Sequence, residues 1–288
     1  MTIFNRPLLF ALLLLLSQHV SAQTPSPSPS PSPKVSSSPS LEREFFKNIL
    51  RDQKAIWTAP FKVRGSDARW LTPLGLGTAA LIATDKDTAA AVAKSDRQLP
   101  VSRAVSYAGS TYGAAGIAAT FYFVGRARKD ARARETGLLA IEALIDSEIV
   151  VVSMKAITGR RRPLEQDRGE FFKGGRSFPS GHSMHAWAVA TVIAHEYHDR
   201  RLVQIGAYGL ATAVSISRFT GKNHFLSDVL VGSAIGYGIG RYVYRARHRQ
   251  SPGAGGEQSR APIRWWPLVS PTYDRQAQEY GLALVWSF

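Results

Sequence analysis

The chain has 288 residues, no cysteine and a formal net charge of +15. That length accommodates one domain of about 200 to 250 residues around a single core and excludes a second catalytic domain. The missing cysteines exclude disulfide support, and the basic excess calls for an anionic counterpart: nucleic acid, an anionic membrane surface or a small anionic substrate.

Residues 1–22 carry Arg6, a nearly unbroken apolar run from Leu8 to Leu16 and the small-residue site Val20-Ser21-Ala22. This pattern predicts a signal peptide cleaved before Gln23, with an uncleaved anchor as the alternative, and so a periplasmic or otherwise extracytoplasmic location. Export makes nucleic acid the least suitable of the three anionic partners. Residues 23–40 are a Pro/Ser repeat, too poor in apolar groups to build a core, and read as an extended linker. From Leu41 the pattern turns helical. Phe45, Phe46, Ile49 and Leu50 form an apolar stripe, with Glu42, Arg43, Lys47 and Arg51 between them, and the stripe is expected to pack on the main body. Residues 57–63, containing Pro60, read as an irregular aromatic link.

Six apolar segments follow, near Trp70–Thr84, Ala104–Gly125, Gly137–Ile157, Ser183–His198, Leu202–Ser217 and Asp228–Tyr244. Their length and few β-branched runs predict an all-α fold, a helical bundle. Gly109, Gly113 and Gly116 in the second segment suggest close helix approach, and the third places Glu142, Asp146 and Glu148 on neighbouring turns. Those carboxylates would be costly in lipid, and the mean hydropathy of −0.11 is low for a six-span protein. If all six segments crossed, the basic stretch Arg126–Arg134 would lie outside, against the positive-inside rule. Composition thus favours a bundle that does not span, with peripheral or integral membrane association both left open. Residues 251–288 comprise a Gly-rich linker and an alternating tail, Leu268 to Tyr273 and Tyr280 to Trp286, that predicts a β-hairpin.

Three clusters carry chemistry. Lys155 and Arg162 form the first, Phe178-Pro179-Ser180-Gly181-His182 the second, and Ser217-Arg218 with His224 and Asp228 the third. A transferring phosphoryl group spreads negative charge over its equatorial oxygens and needs fixed cations and backbone donors. Lys155, Arg162 and Arg218 supply charge, while Ser180 and the Gly181 amide open a helix whose positive end suits an anion. Of two imidazoles, one can attack phosphorus and the other can protonate the leaving oxygen. His224 and Asp228 are spaced i, i+4, so we assign His224 as nucleophile, Asp228 as its orienter and His182 as general acid. His185, His195 and His198 are read as packed or surface histidines.

These residues, Lys155-x6-Arg162-Pro163, Pro179-Ser180-Gly181-His182 and Ser217-Arg218-x5-His224-x3-Asp228, resemble the three-part signature of the type 2 phosphatidic acid phosphatase superfamily. That superfamily also contains class A bacterial acid phosphatases and vanadium haloperoxidases. The resemblance implies a six-helix core bundle of the PAP2/haloperoxidase type within residues 41–250, preceded by the extra amphipathic helix and followed by the hairpin. It further implies a metal-independent phosphomonoesterase without cofactor, acting on a lipid phosphate or a soluble organic phosphate through a phosphohistidine. Two other readings remain: a cationic pocket that binds phosphate or anionic lipid without turnover, and a vanadate-dependent haloperoxidase.

Overall fold

A computed structural model describes residues 41–92, 98–249, 268–274 and 279–285. The predicted signal peptide, the Pro/Ser linker, the Gly-rich linker and Trp286 lie outside these residues. Eight helices occur among them: α1 (Leu41–Thr58), α2 (Ala68–Ala91), α3 (Gln98–Tyr107), α4 (Thr111–Arg128), α5 (Ala131–Thr158), α6 (Gly181–Glu196), α7 (Arg201–Thr220) and α8 (Leu226–His248). The chain is thus all-α up to Arg247, where the helical unit ends. A second unit contains an antiparallel hairpin, β1 (Leu268–Asp274) and β2 (Glu279–Val285), with Leu268 opposite Val285 and Asp274 opposite Glu279. No described helix is long and apolar enough to cross a membrane.

Two sequence boundaries moved. The segment expected to run unbroken from Ala104 to Gly125 is interrupted at residues 108–110, where the Ser110 hydroxyl caps α4 by accepting from the Gly113 amide at 3.0 Å. A Ser followed by good helix formers offers the chain a new start, and the cap satisfies an otherwise orphaned donor. The link after α1 is also more regular than expected, since α1 continues to Thr58 and a 3₁₀ turn spans Ala59–Lys62.

Helix α5 is the spine. It starts on Asp130, whose carboxylate accepts from the Ala133 amide at 3.1 Å, and stops at Gly159, whose φ of 53° lies in the left-handed region. Leu139, Ala140, Ala143, Leu144 and Val150 of α5 pack with Ala118 and Phe121 of α4 and with Met184 and Val192 of α6. Helix α8 approaches α6 backbone to backbone. A Cβ added at Gly232 would lie 2.5 Å from the Ser180 carbonyl oxygen, one at Gly236 2.2 Å from that of Met184, and one at Gly240 2.4 Å from that of Ala188. Of the expected close-packed glycines, Gly109 and Gly113 are crowded in the same way, whereas Gly116 faces open space.

Helix α1 docks differently from its apolar stripe. Phe46 and Leu50 are 78% and 74% exposed, while Asn48, Ile49 and Asp52 are buried. What holds α1 is polar. Arg247 of α8, buried, donates from Nε to Glu142 at 2.9 Å and from Nη2 to both Glu142 and Asp52. Gln53 Nε2 donates to Asp146 Oδ1 at 2.8 Å. Two of the three carboxylates read from the sequence as neighbours on one helix, Glu142 and Asp146, are therefore the buried anchor for α1.

Burial pushes the Asp146 carboxyl up to about 7, against the pull of the Gln53 hydrogen bond, and pushes Glu142 to about 7 in spite of Arg247. A carboxyl raised in the folded state stabilises the fold at low pH and loses that contribution as pH rises through its folded value. The melting temperature should therefore fall between about pH 4 and pH 7. Asp146→Asn should flatten that decline, as read by circular dichroism melts across the same interval.

Candidate active site

The loop after α5 is laced to itself. The Arg161 amide donates to the Glu170 carbonyl at 2.9 Å, the Phe172 amide to that of Thr158 at 2.8 Å, and the Ser177 amide to that of Arg160 at 2.8 Å. This lacing turns Arg160 inward, to 1% exposure. Its Nη1 donates to Asp228 Oδ1 and to the Ser227 hydroxyl, each at 2.7 Å, and its Nη2 to Asp85 Oδ2 of α2 at 2.9 Å. The rings of Phe171 and Phe225 lie 4.7 and 4.4 Å from the guanidinium carbon. Two carboxylates thus neutralise a cation flanked by two aromatic rings, the arrangement that makes burial of an arginine tolerable.

Asp228, so fixed, organises the start of α8. Its Oδ2 accepts from the Ser177 hydroxyl at 2.5 Å and from the Phe225 amide at 2.9 Å. His224 Nδ1 lies 3.6 Å from that oxygen and 2.8 Å from the Ser177 carbonyl oxygen. The first separation is too long for a hydrogen bond and the second is a good one. The structure therefore inserts Ser177 between the two residues that the i, i+4 spacing paired. Asp228 aligns Ser177, and the Ser177 carbonyl holds the ring. A tight turn also ties His224 to Arg218, whose carbonyl accepts from the Asn223 amide at 3.1 Å and the His224 amide at 3.2 Å.

The cations gather opposite. Lys155 Nζ comes within 3.5 Å of where a Cβ at Gly181 would stand, which places the ammonium against the first turn of α6. Ser180 sits at the N-cap of α6 with no side-chain cap, accepting instead from the Ser183 hydroxyl at 3.1 Å. Its own amide donates to the Asp228 carbonyl at 3.0 Å, which joins the start of α6 to the start of α8. Arg218, buried, donates to the Ser106 hydroxyl of α3. Among the described residues no carboxylate forms a salt bridge with Lys155, Arg162 or Arg218.

Titration follows from this crowding. Burial and the Arg162 charge bring Lys155 down to about 8 and Arg218 to about 10. His182 falls to about 3 through burial, then the charges of Arg218, His224, His185 and Lys155. Burial lowers His224 to about 4 although Asp228 pulls it up. For Asp228 burial acts upward, yet His224, Arg160 and Ser177 together hold it below the usual carboxylate range.

All eight residues singled out in the sequence thus fall on the ends of α5, α6, α7 and α8, on the loop after α5 or, for His224, on the turn between α7 and α8. Sequence reasoning missed Arg160, Asp85, Ser177, Ser227 and Ser106. Arg160 was visible only as one of three consecutive arginines, and Asp85 lies 75 residues from it with nothing local to link them. His185 is not merely packed: buried, it lies 2.8 Å from Glu148, to which Thr111 also donates at 3.2 Å. His195 stacks on Tyr244, and His198 is exposed, as expected. Among the described residues no group of three or more His, Cys, Asp or Glu is arranged to hold a metal ion.

Residues 136–252 match the family model of the PAP2 superfamily. Lipid A 1-phosphatase of Porphyromonas gingivalis is 39% identical over 69 residues, which make up 24% of this chain and 16% of that protein. The chain therefore matches about a sixth of that relative's length. A transmembrane PAP2-type phosphatidylglycerolphosphate phosphatase from Bacillus subtilis superposes with a TM-score of 0.47 at 21% identity, over 72% of this chain and 96% of that one.

Removing Arg160 leaves Asp85 and Asp228 buried without their shared cation, an arrangement that costs about 3 to 5 kcal/mol. Urea unfolding of Arg160→Ala should show a loss of that size. Asp85→Asn should lose less, because the arginine keeps one carboxylate.

Proposed function

From the match of residues 136–252 to the PAP2 superfamily model, we propose that the chain is a phosphatase of that superfamily that hydrolyses phosphate monoesters through a phosphohistidine, without a metal ion. The observation that carries this reading is the 2.8 Å contact between His224 Nδ1 and the Ser177 carbonyl. A carbonyl only accepts, so Nδ1 holds the proton and the lone pair of Nε2 is free. With its pKa brought down to about 4, the ring is neutral and nucleophilic at ordinary pH.

In the reaction, His224 Nε2 attacks phosphorus and the bond from phosphorus to the ester oxygen breaks. His182 protonates that oxygen, and the alcohol leaves. His182 then takes a proton from water, whose oxygen attacks phosphorus. The bond between phosphorus and nitrogen breaks, and phosphate and free His224 are regenerated. Lys155, Arg162, Arg218, the Ser180 hydroxyl and the Gly181 amide bind the equatorial oxygens, where charge is shared in the transition state.

His182 meets a difficulty that the substrate removes. With a pKa near 3 it has no proton to give; burial is the first cause, and the charges of Arg218 and Lys155, which the phosphate dianion neutralises, add to it. Substrate entry therefore raises the His182 pKa, and the proton enters with the anion. Aspartate 228 acts as orienter through Ser177.

Two observations support a lipid phosphate as substrate and a site of action at a membrane outside the cytoplasm. The matched relative is a lipid A 1-phosphatase. Large apolar side chains, among them Phe46, Phe61, Trp70, Phe123 and Leu202, are exposed on several helices, more of them than a surface facing water alone calls for. The catalytic domain in this reading is residues 41–250, with the signal peptide and linker ahead of it.

The purified chain should release phosphate from a monoester in EDTA, and His224→Ala should lower kcat by about a thousand-fold or more. Full activity in that variant, or stabilisation by phosphate with no turnover in the wild type, would overturn the assignment. His182→Ala should spare esters with good leaving groups, such as p-nitrophenyl phosphate, far more than alkyl esters. Calorimetry of phosphate binding near pH 6 in buffers of different ionisation enthalpy should report proton uptake that His182→Asn diminishes.

A further inference from the structure

Between α4, α6 and α7 runs a cavity of about 210 Å³. Its walls are Ile117 and Phe121 of α4, Val189 and Ile193 of α6, and Val203 and Leu210 of α7, with alanines and Gly206 making the hollow between them. Only Tyr197 and Arg200 among the lining residues carry polar groups, and both lie at one end. An apolar space of this kind holds hydrocarbon in preference to water.

The other end lies one helical turn from the phosphate cluster. Val214 lines the cavity one helical turn before Arg218, and Ala186 lines it one turn after His182. Ala108, also in the lining, precedes Gly109, where an added Cβ would stand 2.3 Å from Val214 Cγ1 and 2.8 Å from the His182 carbonyl oxygen. From Val214 to Arg200 along α7 is 14 residues, or about 21 Å at 1.5 Å per residue. The far end is braced. Arg132 lies over the Tyr197 ring at 4.3 Å and pairs with Asp199, and its Nε donates to the Glu196 carbonyl at 2.9 Å. A chain entering from the cations meets only hydrocarbon until this polar stop.

We propose that this slot receives the single hydrocarbon chain attached to the substrate's phosphate and limits its length at Tyr197 and Arg200. The inference rests on the phosphatase reading for the position of the headgroup. It adds that the chain lies along α7, so that Gly206 and Ala207 set what length is accepted.

A ladder of linear alkyl phosphates, used below their aggregation concentrations with the full chain, tests it. For the wild type kcat/KM should climb by up to about four-fold per methylene, the gain expected for burying each CH₂, and stop climbing once the chain reaches Tyr197. Gly206 has open space where a side chain would start, so Gly206→Phe adds a ring without striking backbone. Gly206→Phe and Ala207→Phe should reduce the long esters to the level of short ones and leave ethyl phosphate unchanged. A flat ladder, or equal losses on short and long esters, overturns the slot while leaving the phosphatase intact. Non-hydrolysable alkyl phosphonates provide the independent arm. Thermal protection that grows with chain length in the wild type and not in the variants upholds the slot even if no ester turns over, and protection independent of length overturns it.

Discussion

One guanidinium holds together the end of the bundle that carries the three motifs. Arg160 is out of water, and its charge is balanced by Asp85 from α2 and Asp228 from α8, with Phe171 and Phe225 on its sides. Each partner belongs to a different stretch of the chain, so the ion cluster forms only when the loop after α5, the far end of α2 and the start of α8 have all arrived. Helix α2 depends on it most. Within α2 only Asp85 and Ala89 are buried, and the rest of the helix gains little from the bundle. The cluster closes one end of a relay, Arg160 to Asp228 to Ser177 to His224, that fixes an imidazole without a carboxylate touching it.

A second buried arginine at the opposite end of α8 shows the same physics put to structural use. Arg247 is balanced by Glu142 and Asp52, and it ties α1 to the bundle where apolar packing would have been the simpler means. The contrast with the phosphate cluster is instructive. Arg160 and Arg247 each face two carboxylates and are architectural. Lys155, Arg162 and Arg218 have one another's charges for company: burial, and then the Arg162 charge, depresses Lys155 and Arg218, and burial with the charges of Arg218 and Lys155 lowers His182. Cations held together without compensating carboxylates keep their attraction for an anion, because little of it is spent within the fold.

The sequence made much of this legible. Helical periodicity showed the class of fold, and the three motifs named Lys155, Gly181, His182, Arg218 and Asp228, which the structure places at the ends of α5 to α8. What stayed hidden was what local pattern cannot carry. The Ser177 carbonyl is backbone and has no signature in residue type. Asp85 sits beside Lys86 and Asp87 at the polar end of an apolar segment, where a charge reads as solvated. The stripe on α1 misled because amphipathicity specifies that a face is apolar and not what it meets; one turn beyond Ile49 the same face carries Asp52 and Gln53, and these are the groups that dock. The break at Ser110 escaped because the apolar run continues on both sides of it, and capping outweighed continuity only once tertiary contacts crowded Gly109.

The glycines of α8 bear on how such a protein can change over time. Gly232, Gly236 and Gly240 let α8 rest on the carbonyls of Ser180, Met184 and Ala188, so the helix that begins beside His224 and the helix that begins beside His182 are registered main chain against main chain. Side chains elsewhere in the interior can be exchanged for others of similar volume without altering that spacing, since no side chain measures it. The cavity wall on α7 is therefore free to drift, while the two imidazoles inherit an unchanged separation.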